Sequence, residues 1–173
     1  MSARHVVVDT TLGPITVVAQ GGAVTGAYFA WHARRPSAET TGARVTLARD
    51  GLLSEAAEQL AEYLDGRRRE FDLPLHAEGN AFQKSVWDIV GRIPFGRTMT
   101  YGEIAAQLGD RRLAQKVGQA VGANPLCVLV PCHRVIGADG SLTGYAGGLV
   151  RKRALLDLET PVAAAASMAG RLF

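Results

Sequence analysis

Cysteine is scarce in this chain. Only Cys127 and Cys132 occur in 173 residues, too few for a disulfide framework, and that usage points to a reducing, cytoplasmic compartment. Long apolar runs are absent as well. None approaches the roughly 18 residues a membrane-spanning helix needs, so no membrane partner is expected. The opening Met1-Ser2-Ala3-Arg4-His5 leads straight into a strand-like run and lacks the form of a signal peptide. There is no internal repeat. The charged fraction of 20% beside a hydrophobic fraction of 47% excludes a disordered chain. A chain of this length buries about 70% of its unfolded surface, so neither a disulfide nor a metal is needed to hold it. It forms one domain, or two small ones sharing an interface. Glycine, by contrast, is plentiful: 20 residues, above the usual ~7%. Five of them, Gly137, Gly140, Gly144, Gly147 and Gly148, crowd one short stretch.

The net charge of +3 is unevenly spread. Residues 1–80 carry 8 Lys and Arg against 10 Asp and Glu, and residues 81–173 carry 11 against 6. Such a basic half is either a solvated surface or one that meets a polyanion such as nucleic acid.

Two β-rich runs, Val6-Val7-Val8 and Ile15 to Ala19, flank the turn-forming Thr11-Leu12-Gly13-Pro14, which predicts a hairpin. Gly21-Gly22 is another turn, and Val24 to Phe29 reads as a third strand. Residues 32–51 are mixed and polar and read as loop. Ser54 is placed to cap a helix over Glu55 to Leu64, with Ala57, Leu60 and Leu64 on one face and Gly66 at its end. The basic run Arg67-Arg68-Arg69 follows. His76-Ala77-Glu78-Gly79-Asn80 is the best boundary, giving domains at 1–79 and 80–161, with an Ala-rich tail at 162–173.

The second part reads as helices. Phe82, Val86, Ile89 and Ile93 recur at helical spacing before Pro94-Phe95-Gly96 breaks the pattern. Thr100-Tyr101-Gly102-Glu103 has the form of a capping box. The helix it opens stops at Gly109, and Asp110 can cap another running from Arg111 to about Gly122. Two short helices around a glycine turn suggest helix-turn-helix. The second of them is unusually smooth, with Ala114, Gly118, Ala120 and Gly122. That face suits close approach to a surface, or tight helix packing. Arg111, Arg112, Lys116 and Gln119 are available for phosphates or water.

The run Cys127-Val128-Leu129-Val130 is apolar and reads as a buried strand, ended by Pro131. Cys132 then stands beside His133 and Arg134. A histidine base and positive neighbours are what a thiol needs to become a thiolate near neutral pH. Adjacent side chains on extended backbone point apart, so contact between Cys132 and His133 needs a turn or an intervening water. Cys127 reads as a small buried cysteine. Zinc binding by Cys127, Cys132 and His133 would lack a fourth ligand and a usual finger spacing. A thiol protease would want a distant histidine and a glycine-rich loop before the cysteine, where Pro131 stands.

Taken in order, several segments resemble the O6-alkylguanine-DNA alkyltransferases, also called methylated-DNA–protein-cysteine methyltransferases. They are Phe82-Gln83 with Val86-Trp87, Ile93-Pro94-Phe95-Gly96, Thr100 to Ala105, Asn124-Pro125, Val130 to Gly137 and Leu142 to Gly148. The resemblance covers residues 82–159 strongly. It implies an α/β N-terminal domain, a small antiparallel sheet plus helix of ribonuclease-H-like form, followed by a mostly helical, winged-helix-like DNA-binding domain. It implies direct-reversal repair: the alkyl group of O6-alkylguanine, and more weakly of O4-alkylthymine, passes in one turnover from flipped-out duplex DNA to Cys132, without a cofactor or a metal. By the same resemblance, His133 deprotonates Cys132 through a water, Glu159 orients His133, and Asn124 braces the turn. Tyr101 lies beside the flipped base. The carbonyls of Cys132 and Val135 read it, Tyr145, Ala146 and Gly147 close the pocket, and Lys152 lies near. Gln83, Ala114, Gln115, Lys116, Gly118 and Arg134 are expected against the minor groove of double-stranded DNA, with the protein monomeric.

One position departs from the family pattern. Members carry an arginine in an Ala-Arg-Ala-Val-Gly stretch, inserted where the base leaves. This chain reads Ala114-Gln115-Lys116-Val117-Gly118, which puts flipping efficiency in question but not the chemistry. The zinc site of some eukaryotic members has no counterpart, since the first part has no cysteine. The rival reading is a non-catalytic alkylated-DNA lesion-binding protein, similar to the alkyltransferase-like proteins, which lack the acceptor cysteine. A general helix-turn-helix regulator would want an effector domain, and nothing in the chain suggests one.

Overall fold

A computed structural model describes residues 2–31 and 36–160; the expected tail at 162–173 lies outside them. The hairpin forms as the sequence suggests, from β1 (Ala3–Val8) and β2 (Ile15–Gln20), and β3 (Ala23–Phe29) follows. Alternation of β-branched residues puts Val6, Ile15, Val17 and Val24 on the buried side. The turn is held by Thr10, whose hydroxyl accepts from Leu12 N and donates to Gly13 O.

Residues 32–51 are not simply loop. They contain α1 (Ala38–Thr41), β4 (Ala43–Arg44) and a 3-10 turn at Leu47–Arg49. β4 pairs parallel with β1, so the sheet, ordered β3-β2-β1-β4, is mixed where an antiparallel one was expected. Gly42 makes the approach possible. Its φ is 66°, and a Cβ there would stand 1.9 Å from the carbonyl oxygen of Ala3.

α2 (Gly51–Leu64) begins a turn earlier than predicted. Its cap is Asp50, whose carboxylate accepts from Leu53 N at 3.0 Å and is ion-paired with Arg4 of β1. Ser54 therefore falls inside the helix. Asp50 prevails because one carboxylate serves both the orphan N–H and a strand arginine. The buried face is Leu53, Ala56, Ala57, Leu60 and Tyr63, with Leu64 only partly covered.

The second half packs its own core from α3 (Ala81–Gly91), α4 (Tyr101–Gln107) and α5 (Ala114–Gly122). Capping boxes open α3 (Asn80 with Gln83) and α4 (Thr100 with Glu103). Gly109, at φ 100°, turns α4 toward α5, and Asp110 caps a 3-10 turn, Arg111–Leu113, that leads into α5. The Trp87 indole N–H donates to Ala120 O at 2.8 Å, fixing α3 on α5. β5 (Met99–Thr100) pairs with β6 (Val135–Ile136), and α6 (Leu149–Glu159) closes the fold.

The run Cys127–Val130 is buried up to Leu129, with Val130 half-buried, but it is not a strand. Val128 sits at φ 71°, and Val130 N reaches back to Leu126 O at 2.9 Å, so the chain reverses. Cys127 N donates to Ala27 O, laying the reversal on β3. An unbroken apolar run reports burial without reporting conformation. Among the described residues no helix is long and apolar enough to cross a membrane.

Replacing Asp50 with Ala removes both the α2 cap and the partner of Arg4. A loss of about 1–2 kcal/mol is expected, read as a lower urea midpoint with an unchanged slope; an unchanged midpoint would show that Ser54 or solvent serves as well.

Candidate active site

The reversal at 127–130 delivers the chain to Pro131 and then to a 3-10 turn, Cys132–Arg134, all buried. This replaces the expected strand exit with a turn, the geometry needed to bring neighbouring side chains to one side. Asn124, at the end of α5, braces it. Its Nδ2 donates to Val130 O at 3.1 Å, to Leu126 O at 3.3 Å and to Cys132 Sγ at 3.2 Å, while its Oδ1 accepts from Leu126 N. The Cys127 thiol, the Asn124 amide and the Lys152 charge draw the Cys132 thiol below its ordinary pKa against the opposing effect of burial. Cys127 moves the other way, because it hydrogen-bonds Cys132 and is itself buried.

Behind this turn lies a buried charge network. The Glu159 carboxylate, on the last turn of α6, accepts from Arg134 Nε at 2.7 Å and Nη2 at 2.8 Å, from His133 Nε2 at 2.8 Å, and from the Tyr63 hydroxyl of α2. Gly96 N adds a longer contact at 3.4 Å. Burial works against its charge, yet the hydrogen bonds from His133, Arg134 and Tyr63 hold Glu159 at about 2. His133 is fully buried, and burial pushes its pKa down although Glu159 opposes this. The imidazole is thus neutral near pH 7. With Nε2–H on Glu159, Nδ1 carries the lone pair, and Nδ1 is buried with no hydrogen-bond partner among the described residues. The set can therefore take a proton at Nδ1 and stabilise the resulting imidazolium through Glu159.

The glycine-rich stretch is tied to α6 and α4 through Thr143 O. Lys152 Nζ donates to Val135 O at 2.6 Å and Thr143 O at 2.8 Å. Burial brings its pKa to about 8. The Tyr101 hydroxyl also donates to Thr143 O, at 3.2 Å. Gly147 must be glycine: a Cβ would stand 2.5 Å from the Phe29 ring and 2.8 Å from that of Tyr145. Phe29 meets Tyr145 edge-on at 6.3 Å, so β3 supports Tyr145, Ala146 and Gly147 from below. The Tyr145 hydroxyl is buried against the Cys127 thiol, and that burial pushes its ionisation up.

On α5, Ala114 and Gly118 are half-buried, and Gln115 and Lys116 are exposed. Lys116 Nζ lies 4.3 Å from the centre of the Phe82 ring. Gln83 gives its amide oxygen to the α3 capping box, accepting from Asn80 N at 2.9 Å. Arg134 requires a correction. Expected on the DNA surface, it is 7% exposed, with its guanidinium on Glu159 and on Ile93 O; charge pairing in the interior outweighs any outward contact. Cys127, Cys132 and His133 do not form a metal site: among the described residues no group of three or more His, Cys, Asp or Glu could hold an ion.

Sequence reasoning missed Tyr63, Thr143 and the contact of Cys127 with Cys132. Tyr63 had a detectable signal, since a tyrosine on the apolar face of a helix needs a buried partner for its hydroxyl. Nothing local marks the backbone carbonyl of Thr143.

Both parts of the chain match known proteins. Residues 81–161 match the family model described as the DNA binding domain of 6-O-methylguanine DNA methyltransferase, and residues 4–77 match its ribonuclease-like domain. A methylated-DNA–protein-cysteine methyltransferase of Mycobacterium tuberculosis is 44% identical over 153 residues, 88% of this chain and 89% of the relative. One of Methanosarcina acetivorans is 52% identical over 105 residues, 61% of this chain and 67% of the relative. The crystal structure of Mycobacterium tuberculosis OGT in complex with DNA superposes with a TM-score of 0.83 at 42% identity, covering 90% of this chain and 92% of that one.

Glu159 has a folded pKa of about 2 against an ordinary 4.5. Its stabilisation is therefore complete above pH 4.5 and is lost as the pH falls toward 2. Urea midpoints measured from pH 6 to pH 2 should fall more steeply for the parent than for Glu159→Gln, which starts lower because Arg134 loses its charge partner. Parallel curves would refute a depressed Glu159.

Proposed function

The chain belongs to the 6-O-methylguanine DNA methyltransferase family and is a methylated-DNA–protein-cysteine methyltransferase, and from that premise we propose how its own residues repair alkylated DNA. Cys132 is the acceptor. Its proton passes to Nδ1 of His133 through a water, and Glu159 stabilises the imidazolium. The thiolate attacks the alkyl carbon, the carbon–O6 bond breaks, and guanine recovers a proton as it leaves. The balance needs no cofactor. The product is a thioether, without a carbonyl for water to attack, so each molecule acts once.

The observation that carries this reading is the hydrogen-bonded line Tyr63–Glu159–His133 beside a sulfur that accepts from Asn124. The target atom lies inside a duplex, so the nucleotide must leave the stack. Tyr101, Val135, Tyr145, Ala146, Gly147 and Lys152 receive it, with O4-alkylthymine as a weaker substrate. The Val135 carbonyl already accepts from Lys152 and keeps one lone pair for the base. α5 enters the minor groove on Ala114 and Gly118, and Gln115 fills the gap. Lys116, held over Phe82, contributes charge at the rim. Two domains at 1–79 and 80–161 fit the two family-model matches, and a monomer in the cytoplasm fits the chemistry.

Incubation with an oligonucleotide containing methylated guanine should add one methyl group per chain, mapped to Cys132. Cys132→Ser should lose transfer and keep DNA binding. Methyl on Cys127 would overturn the assignment, and a parent that binds without gaining mass would favour a lesion-binding protein.

Gln115 is uncharged and shorter than an arginine, so Gln115→Ala should slow duplex repair only modestly. Gln115→Arg should tighten binding and steepen its log–log salt dependence by about 0.9 per added phosphate contact. Repair by Gln115→Ala at the parent rate would remove Gln115 as the wedge.

A further inference from the structure

Oε2 of Glu159 accepts from three donors at once: Arg134 Nη2, His133 Nε2 and the Tyr63 hydroxyl. Two of them belong to the turn that carries Cys132. The third comes from α2, in the other domain. Tyr63 is 1% exposed, and its ring is fixed by Phe71 at 5.3 Å and by Phe95, edge-on, at 6.3 Å. Its oxygen also lies 3.4 Å from His133 Nε2.

A phenol has one proton to give. Here it goes to Glu159, so the lone pairs of the Tyr63 oxygen face His133 Nε2. Both neighbours of Nε2 are then acceptors, which requires Nε2 to carry the ring proton and leaves the lone pair on Nδ1. The donor is also neutral. Burial and Glu159 push Tyr63 ionisation far above any working pH, so it satisfies the carboxylate without adding charge to a network that already holds Arg134.

We infer that Tyr63 is a positioning residue for alkyl transfer, through which the N-terminal domain fixes the tautomer of His133 and moderates the pull of Glu159 on it. This rests on His133 being the base. Among the described residues, the charged groups bearing on His133 are Glu159 and Lys152 from α6 and Arg134 from its own turn; Tyr63 is the neutral group facing it from α2.

The test is Tyr63→Phe, which keeps the ring and removes the hydroxyl. Single-turnover transfer should slow about tenfold, a share of the roughly 10²–10⁴-fold that a general base supplies. With one donor gone, Glu159 favours the imidazolium more strongly. The base must be neutral to act, so the acid limb of the pH–rate profile should move to higher pH. DNA affinity should not change. A rate and an acid limb equal to the parent's would reduce Tyr63 to packing. His133→Gln, measured alongside, separates the two readings: parent-like transfer there overturns the base itself, whereas slow transfer there with a parent-like Tyr63→Phe overturns only the role of Tyr63. Imidazole nitrogen NMR of the parent protein serves if Tyr63→Phe does not fold. It should show the Nε2–H tautomer of His133, and the Nδ1–H tautomer would refute the inference.

Discussion

A carboxylate taken out of water must be met by donors, and the arrangement around Glu159 follows from that requirement. The side chain is 2% exposed. Arg134 neutralises it through two nitrogens, and His133, Tyr63 and Gly96 approach the positions that remain. The donors come from three pieces of chain: the 3-10 turn, which supplies both Arg134 and His133, then α2, and the loop after α3. Satisfying one buried ion therefore sets where α6 ends, how α2 lies against the second domain and which way the His133 ring faces. Removing Arg134 would leave the Glu159 charge unpaired in the interior, a far larger cost than the loss of an exposed ion pair.

The same geometry explains why Arg134 escapes sequence reasoning. In a basic half of the chain, an arginine beside a cysteine and a histidine suggests a phosphate contact. Its real partner lies 25 residues ahead in sequence, and no local pattern marks the pairing. Tyr63 and His133 are 70 residues apart and are hidden for the same reason. Features carried by a few adjacent residues are legible. Thr100 with Glu103 states its own capping box, and Thr11 to Pro14 states its own hairpin turn. Asp50 is intermediate: its capping chemistry is visible, but Ser54 offers the same chemistry, and only the pairing of Asp50 with Arg4 across the sheet decides between them.

The apolar run before Cys132 teaches a related point. Hydrophobicity reports correctly that Cys127, Val128 and Leu129 are buried. It does not report that Val128 adopts a left-handed conformation and reverses the chain. That reversal is what sets Cys127 beside Cys132 and gives Asn124 three acceptors within reach, the acceptor sulfur among them. A straight strand would have sent Cys132 and His133 to opposite faces. The strand-like composition and the turn are reconciled by β3, whose Ala27 supplies the backbone partners a neighbouring strand would have offered, though only to Pro125 O and Cys127 N.

Burial also bears on selectivity. Cys132 is 3% exposed, so a polarised sulfur is kept from bulk alkylating agents by the fold itself. In the proposed reaction the alkyl carbon reaches it only when presented on a flipped base. Binding and reactivity are then the same event, because the group that delivers the alkyl carbon also opens the route to the sulfur. A protein that acts once has reason to guard its thiol in this way. Each accidental alkylation would consume a molecule as completely as a repair does, and the thioether offers no path back.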